Sequence, residues 1–197
     1  PPSTTAPAST VAPPVSVPPV TTVPSTVVVS PSGDDDTNQL VAAVTANPNV
    51  TIQGRLRIDG VVKLDGITDR SIVFAAGAAL VRTTRPPTVT WQVIALRNTQ
   101  RISITNPRVI GPNIEVCDWD QTIPANGPLN PPRVDRIGVG YNARYEEQHG
   151  IAINGGADIT ITSPNVYGMS GDGIFISDDS ATGEHPTRVR ITDPVTD

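Results

Sequence analysis

Beyond Asn47-Pro48 the chain alternates apolar and polar residues in short runs: Val50-Thr51-Ile52, Leu56-Arg57-Ile58, Val62-Lys63-Leu64 and Ile72-Val73-Phe74. Period two puts one side of each run against a core, and runs this short, separated by Gly, Asn and Asp, predict strands. The same alternation would suit a sandwich, a barrel or a stack of coils, so internal repetition decides among them.

Repetition is present. The segment from Ile94 to Gly111 lies over the segment from Ile151 to Gly168 without a gap, at a constant shift of 57 residues (151 less 94). Two partial copies flank these. Val62 and Leu64 match the first strand and Ile72 and Phe74 the second; later, Ile174 and Ile176 match the first and Val189 and Ile191 the second. Ile151 and Ile174 are 23 residues apart (174 less 151), the length of one coil, so the longer interval is one coil carrying an excursion over about 112–148. Asn106-Pro107, Ser163-Pro164 and Asp193-Pro194 each follow the second strand, and a residue before proline is expected to be extended, turning the chain at the same place each time. In a parallel stack each coil hydrogen-bonds to the one beneath and must bend alike. The fold class is therefore all-β, a right-handed parallel β-helix. Ile94, Leu96, Ile102, Ile104 and Val109 should stack under Ile151, Ile153, Ile159, Ile161 and Val166, about 4.8 Å apart.

The ends differ from the repeat. Asp36, with Gln39 three residues on, makes a capping-box-like start for a short helix whose Leu40, Val41 and Val44 would cover the first coil. Residues 1–32 are Pro, Ser, Thr, Val and Ala with Pro13-Pro14 and Pro18-Pro19, which predicts a disordered, extended linker or stalk ahead of a β-helix domain at 33–197. The chain begins within this stretch without Met or an apolar leader core, as it would after processing or as a fragment. At Asp197 it stops mid-coil, so further coils are expected to follow.

Composition narrows the function classes. The net charge is −5 and Lys63 is the only lysine among scattered arginines, which is no nucleic-acid footprint. One cysteine, Cys117, excludes an intrachain disulfide framework. No apolar run of about 18 residues exists to span a membrane. A stalked β-rich domain points to an extracellular or cell-surface location, with oligomeric state left open.

One column carries candidate chemistry. His149-Gly150-Ile151 and Asp172-Gly173-Ile174 share the 23-residue spacing, so His149 and Asp172 should sit side by side where the first strand begins, with Gln92 one coil earlier. An imidazole beside a carboxylate can act as base and acid or bind a sugar hydroxyl; the plainer alternative is a stacked polar corner. The excursion offers Asp118, Trp119, Asp120, Tyr145, Glu146 and Glu147, aromatic faces and carboxylates of the kind that hold sugars, or else a self-packed flap. Asp172, Asp178 and Asp179 could take calcium, the one cofactor these acids suggest, although an acidic pair more often marks a polar turn.

Gly33-Asp34-Asp35-Asp36-Thr37-Asn38-Gln39-Leu40-Val41-Ala42-Ala43-Val44 resembles the opening of pectate-lyase-superfamily β-helices, and the repeats resemble their coils. Within that superfamily, Gln148-His149-Gly150-Ile151 and Gly171-Asp172-Gly173-Ile174 are similar to the steps that carry the acids and a histidine in polygalacturonase-like glycoside hydrolases. The family's Asn-Thr-Asp and Arg-Ile-Lys steps are absent, and here His precedes Asp. The resemblance implies a carbohydrate-active protein that hydrolyses, eliminates or epimerises a polysaccharide or cell-envelope glycan, with His149 and Asp172 as catalytic residues. The alternative is a non-catalytic adhesin, envelope or tailspike-like β-helix.

Overall fold

The computed structural model describes residues 25–82, 91–112, 148–169 and 171–195. Three sheets organise them, and every strand pair is parallel. The chain passes from sheet to sheet in fixed order, one strand per sheet per coil. Strands β2 (Asn49–Ile52) and β3 (Arg55–Arg57) are followed by β4 (Val62–Asp65), β5 (Thr68–Phe74) and β6 (Ala79–Val81). The next coils are β7 (Trp91–Arg97), β8 (Gln100–Thr105) and β9 (Arg108–Ile110), then β10 (Gln148–Asn154), β11 (Ala157–Thr162) and β12 (Asn165–Tyr167), and finally β13 (Ile174–Ser177) and β14 (Thr187–Thr192). The first sheet is β4-β7-β10-β13, the second includes β2-β5-β8-β11-β14 and the third is β3-β6-β9-β12. The result is an all-β solenoid with one helix among the described residues.

The 57-residue register holds in all three sheets: Ile151 pairs with Ile94, Ile159 with Ile102 and Val166 with Val109. Ile174 continues the column over Ile151, and Val189 continues over Ile159. Ile94, Leu96, Ile102, Ile104, Val109, Ile151, Ile153, Ile159 and Ile161 form one buried aliphatic core. Burying each such side chain contributes about 1.5 to 3 kcal/mol, the main favourable term for strands this short.

One copy is out of step. Ile72 pairs with Ile104, and Arg70 takes the place opposite Ile102, so Ile72 and Phe74 sit two residues from the alignment made on hydrophobicity. The reason is the helix below. Arg70 stands in an otherwise aliphatic column but sends its guanidinium to helix α1 (Thr37–Ala46), where Nε donates to the Val44 carbonyl at 2.7 Å and Nη2 to that of Thr45 at 2.8 Å. These are carbonyls that the last helical turn leaves without intrahelical partners.

Helix α1 does cover the first coil, with Leu40 and Val44 buried beneath β4, but the capping box does not form. Asp36 is buried and its carboxylate accepts from the backbone N–H of Ser32 at 2.9 Å and of Arg57 at 3.0 Å. Asp35 bridges to Arg57 and accepts from the N–H groups of Thr37 and Asp59 at 3.0 and 2.9 Å. The acidic stretch thus lies in the third-sheet position under β3, and its carboxylates tie helix to coil. Burial opposes ionisation of Asp35, but its hydrogen bonds from Asp59 and Thr37 prevail and lower its pKa.

The second sheet starts earlier than the sequence suggested. Thr26–Val29, within the segment assigned to the linker, is strand β1 and pairs in parallel with β2 from Thr26 opposite Asn49 to Val29 opposite Ile52. Val29 is buried in the core, and this burial with four ladder pairs outweighs the disorder that proline-rich surroundings favour. The proline corners also differ in conformation. Asn106, Ser163 and Asp193 each have φ near +50° (54°, 51° and 50°), so the chain turns there in the left-handed region. Asn and Asp tolerate that region best among residues with a side chain, and repetition in successive coils keeps the corners superimposed.

The interior assignment makes a direct prediction. Ile153→Ala should lose about 2 to 5 kcal/mol of stability in urea unfolding. Ile161→Asp, which would bury a carboxylate without a partner, should abolish the cooperative transition; an unchanged Tm in that variant would overturn the register.

Candidate functional site

The first sheet departs from simple alternation at one place, and that departure builds the site. Its ladder pairs His149 with Gln92 and Ile151 with Ile94 but skips Gly150 and Val93. Two successive amides, Gly150 and Ile151, donate to the successive carbonyls of Asp172 and Gly173 at 3.0 and 2.9 Å. This is a bulge, and it resets which side chains face in. Val93 joins the core, and a Cβ on Gly150 would meet the Val166 side chain and approach the Gly173 carbonyl to 2.6 Å. Gln92, His149 and Asp172 are therefore turned outward.

Beyond the bulge the outward rows follow from the pairing. Lys63, Ala95, Ala152 and Phe175 form one row, and Asp65, Arg97, Asn154 and Ser177 the next. The His149 ring stacks on Phe175 with centroids 4.2 Å apart and planes 4° from parallel. Two alanines continue the row as a shelf of small side chains, and both are buried.

His149 and Asp172 come together as their spacing predicted, with a polarity that alternation could not reveal. The backbone N–H of Asp172 donates to His149 Nδ1 at 3.0 Å. An Nδ1 that accepts carries no proton, so the neutral ring holds its N–H on Nε2. The Asp172 carboxylate lies 3.7 Å from the same Nδ1, too far for a hydrogen bond and facing a lone pair. The two side chains also differ in access, with that of His149 6 % exposed and that of Asp172 65 %.

The other candidate acids are separated. Asp179 is fully buried and serves as an anchor. Its carboxylate accepts from Arg97 Nη2 at 2.8 Å, from the Ala181 N–H at 2.7 Å and from Asn98 Nδ2 at 2.5 Å. The Ala181 amide, then Arg97 and Asn98, hold its pKa down to about 2 against the opposing effect of burial. Asp178 instead faces His185, 2.5 Å from its Nδ1. Asp172, Asp178 and Asp179 do not converge, and among the described residues no three His, Cys, Asp or Glu side chains are grouped as a metal ion requires. Asp118, Trp119, Asp120, Tyr145, Glu146 and Glu147 lie outside the described residues.

Sequence reasoning passed over Phe175, Lys63 and the Arg97–Asp179 pair. Phe175 was legible, since the Ile174 and Ile176 register already places it outward beside Ala152. The Arg97–Asp179 contact spans 82 residues and joins a strand to a turn two coils away, a relation that no short spacing encodes.

No family model, curated protein or solved structure matches the chain. No described helix is long and apolar enough to cross a membrane.

The anchor has a signed pH dependence. Free Asp titrates near 3.9 and Asp179 near 2, so its contribution is fully present above about pH 4 and is lost as pH falls through about 2. Asp179→Asn should therefore lower Tm at pH 7, and the gap from wild type should narrow between about pH 4 and pH 2. A gap that is constant over that range in thermal melts would show that the carboxylate charge contributes nothing.

Proposed function

We propose that the chain is a right-handed parallel β-helix of the pectate-lyase-like kind, extracellular or surface-attached, which engages a polysaccharide along the outer face of its first sheet. The observation that supports this most is the flat His149–Phe175 stack beside the exposed Asp172 carboxylate. The half-buried Phe175 ring, backed by the buried His149 ring, offers an apolar face to a sugar ring, and a neighbouring carboxylate and Gln92 offer acceptors and donors for its hydroxyls. In this reading Asp172 acts as the proton-transferring group, because it is ionisable and accessible. His149, buried with its ring packed on Phe175 and its Nδ1 accepting from the Asp172 amide, acts as a positioning group instead of a base.

A specific observation favours the non-catalytic alternative, in which the same face binds without turnover. Hydrolysis by an acid and a base requires two carboxyl groups within roughly 5 to 10 Å of each other. On the described outward face the other carboxylate, Asp65, is three coils from Asp172, about 14 Å at 4.8 Å per coil before their offset along the strands, and Lys63 lies 3.3 Å from it.

Binding and turnover on a panel of neutral and acidic polysaccharides, with and without calcium, separate these readings. Phe175→Ala should weaken binding by roughly ten-fold. Asp172→Asn should lower turnover by about 100-fold or more while binding persists. Binding without turnover would leave the non-catalytic form, and no binding to any polymer would overturn the proposal.

A further inference from the structure

The second sheet carries a feature unrelated to the outer face of the first. Its ladder pairs Thr68, Gln100, Ala157 and Thr187 in one column and Arg70, Ile102, Ile159 and Val189 in another, and skips the residue between them in each coil. The skipped residues are Asp69, Arg101, Asp158 and Arg188. All four are left-handed, with φ of 59°, 54°, 57° and 53°. This region is disfavoured for residues with a side chain, yet none of the four is glycine and all are charged.

Their signs alternate up the stack. Arg101 grips Asp69 with two bonds, Nε to Oδ1 at 2.6 Å and Nη2 to Oδ2 at 2.8 Å. Arg188 grips Asp158 in the same way at 2.5 and 2.8 Å. The hydrogen bonds from Arg101 hold the Asp69 carboxyl down to about 2. Those from Arg188 lower the pKa of Asp158, and the charge of Arg101 adds to the effect. The column is thus attractive at each of its three steps.

Aliphatic columns alone do not fix which coil lies on which. Ile102, Ile159 and Val189 are nearly interchangeable, and so are Ile104 and Ile161, so a coil slipped to the wrong neighbour, or by two residues along a strand, would still bury apolar surface. Alternating charges at a bulged position distinguish these states, because a misplaced neighbour brings like charges together or leaves an arginine unpaired.

We propose that the column of Asp69, Arg101, Asp158 and Arg188 is a register lock, whose alternating signs set the order and alignment in which successive coils stack. Its bidentate geometry makes it specific, since the two N–H groups of each guanidinium meet both oxygens only when the coils are in register. Its contribution to overall stability is that of exposed ion pairs and is small; its effect lies in the difference between correct and incorrect stacks.

Permutation of charge at constant composition tests this. Arg101→Asp with Asp158→Arg gives the order Asp, Asp, Arg, Arg, with two repulsive steps, and keeps the same residue types in left-handed positions. Full inversion at all four positions restores alternation with opposite signs. The permuted chain should melt about 2 to 4 °C below wild type and refold with a lower yield, and added salt should narrow both differences. The inverted chain should match wild type in both. A permuted chain that fails to fold while the inverted one folds also supports the lock. If both match wild type, or both are equally impaired, sign order does not matter and the proposal fails.

Discussion

Each coil of this solenoid gives its backbone hydrogen bonds to the coils above and below, so whatever one coil does the next must do in the same place. This constraint governs every other feature. It explains why left-handed residues recur at Asn106, Ser163 and Asp193 and why a bulge interrupts both β7 and β10 at the same step. A bend confined to one coil would leave unpaired amides on two others, and a buried unpaired amide costs about 1 to 3 kcal/mol. Irregularities therefore persist as columns.

The candidate site is one of these columns. The bulge at Val93 and Gly150 turns Gln92 and His149 outward, and the amide of the next coil, at Asp172, fixes the imidazole tautomer. Backbone repetition thus supplies the positioning that other folds obtain from separate side chains. Gly150 is needed because its Cα faces Val166 and the Gly173 carbonyl, where a side chain has no room.

Much of the fold was legible because period two and the 57-residue shift act together. Alternation shows which side faces the core, and the shift shows which residues share a column. Legibility failed where a side chain answered to something outside its own strand. Arg70 sits in an aliphatic column because a helix end lies within reach, so matching by hydrophobicity slid that strand by two. Asp36 does stand at the N-cap of the helix, but its carboxylate accepts from the backbone of Arg57, 21 residues away, instead of capping the first turn. Thr26–Val29 was hidden in proline-rich composition, although a Thr-Val-Val-Val run suits an edge strand. For the site, the pairing of His149 with Asp172 was legible from spacing. The direction of its hydrogen bond and the stack on Phe175 depend on the bulge, which has no sequence signature of its own.

The connections at 82–90 and 111–147 both join the third sheet to the first, at the corner from which the Gln92, His149 and Asp172 column rises. The corner from the second sheet to the third is two to four residues long throughout, whereas the corner from the first sheet to the second is two residues long after β4, β7 and β10 and nine (178–186) after β13, with β14 still in register on β11. Changes of length are thus accommodated at two corners, and one of them borders the outward column. A lineage could rewrite what this face meets by exchanging segments there, with the aliphatic stack and the charge column left as they are.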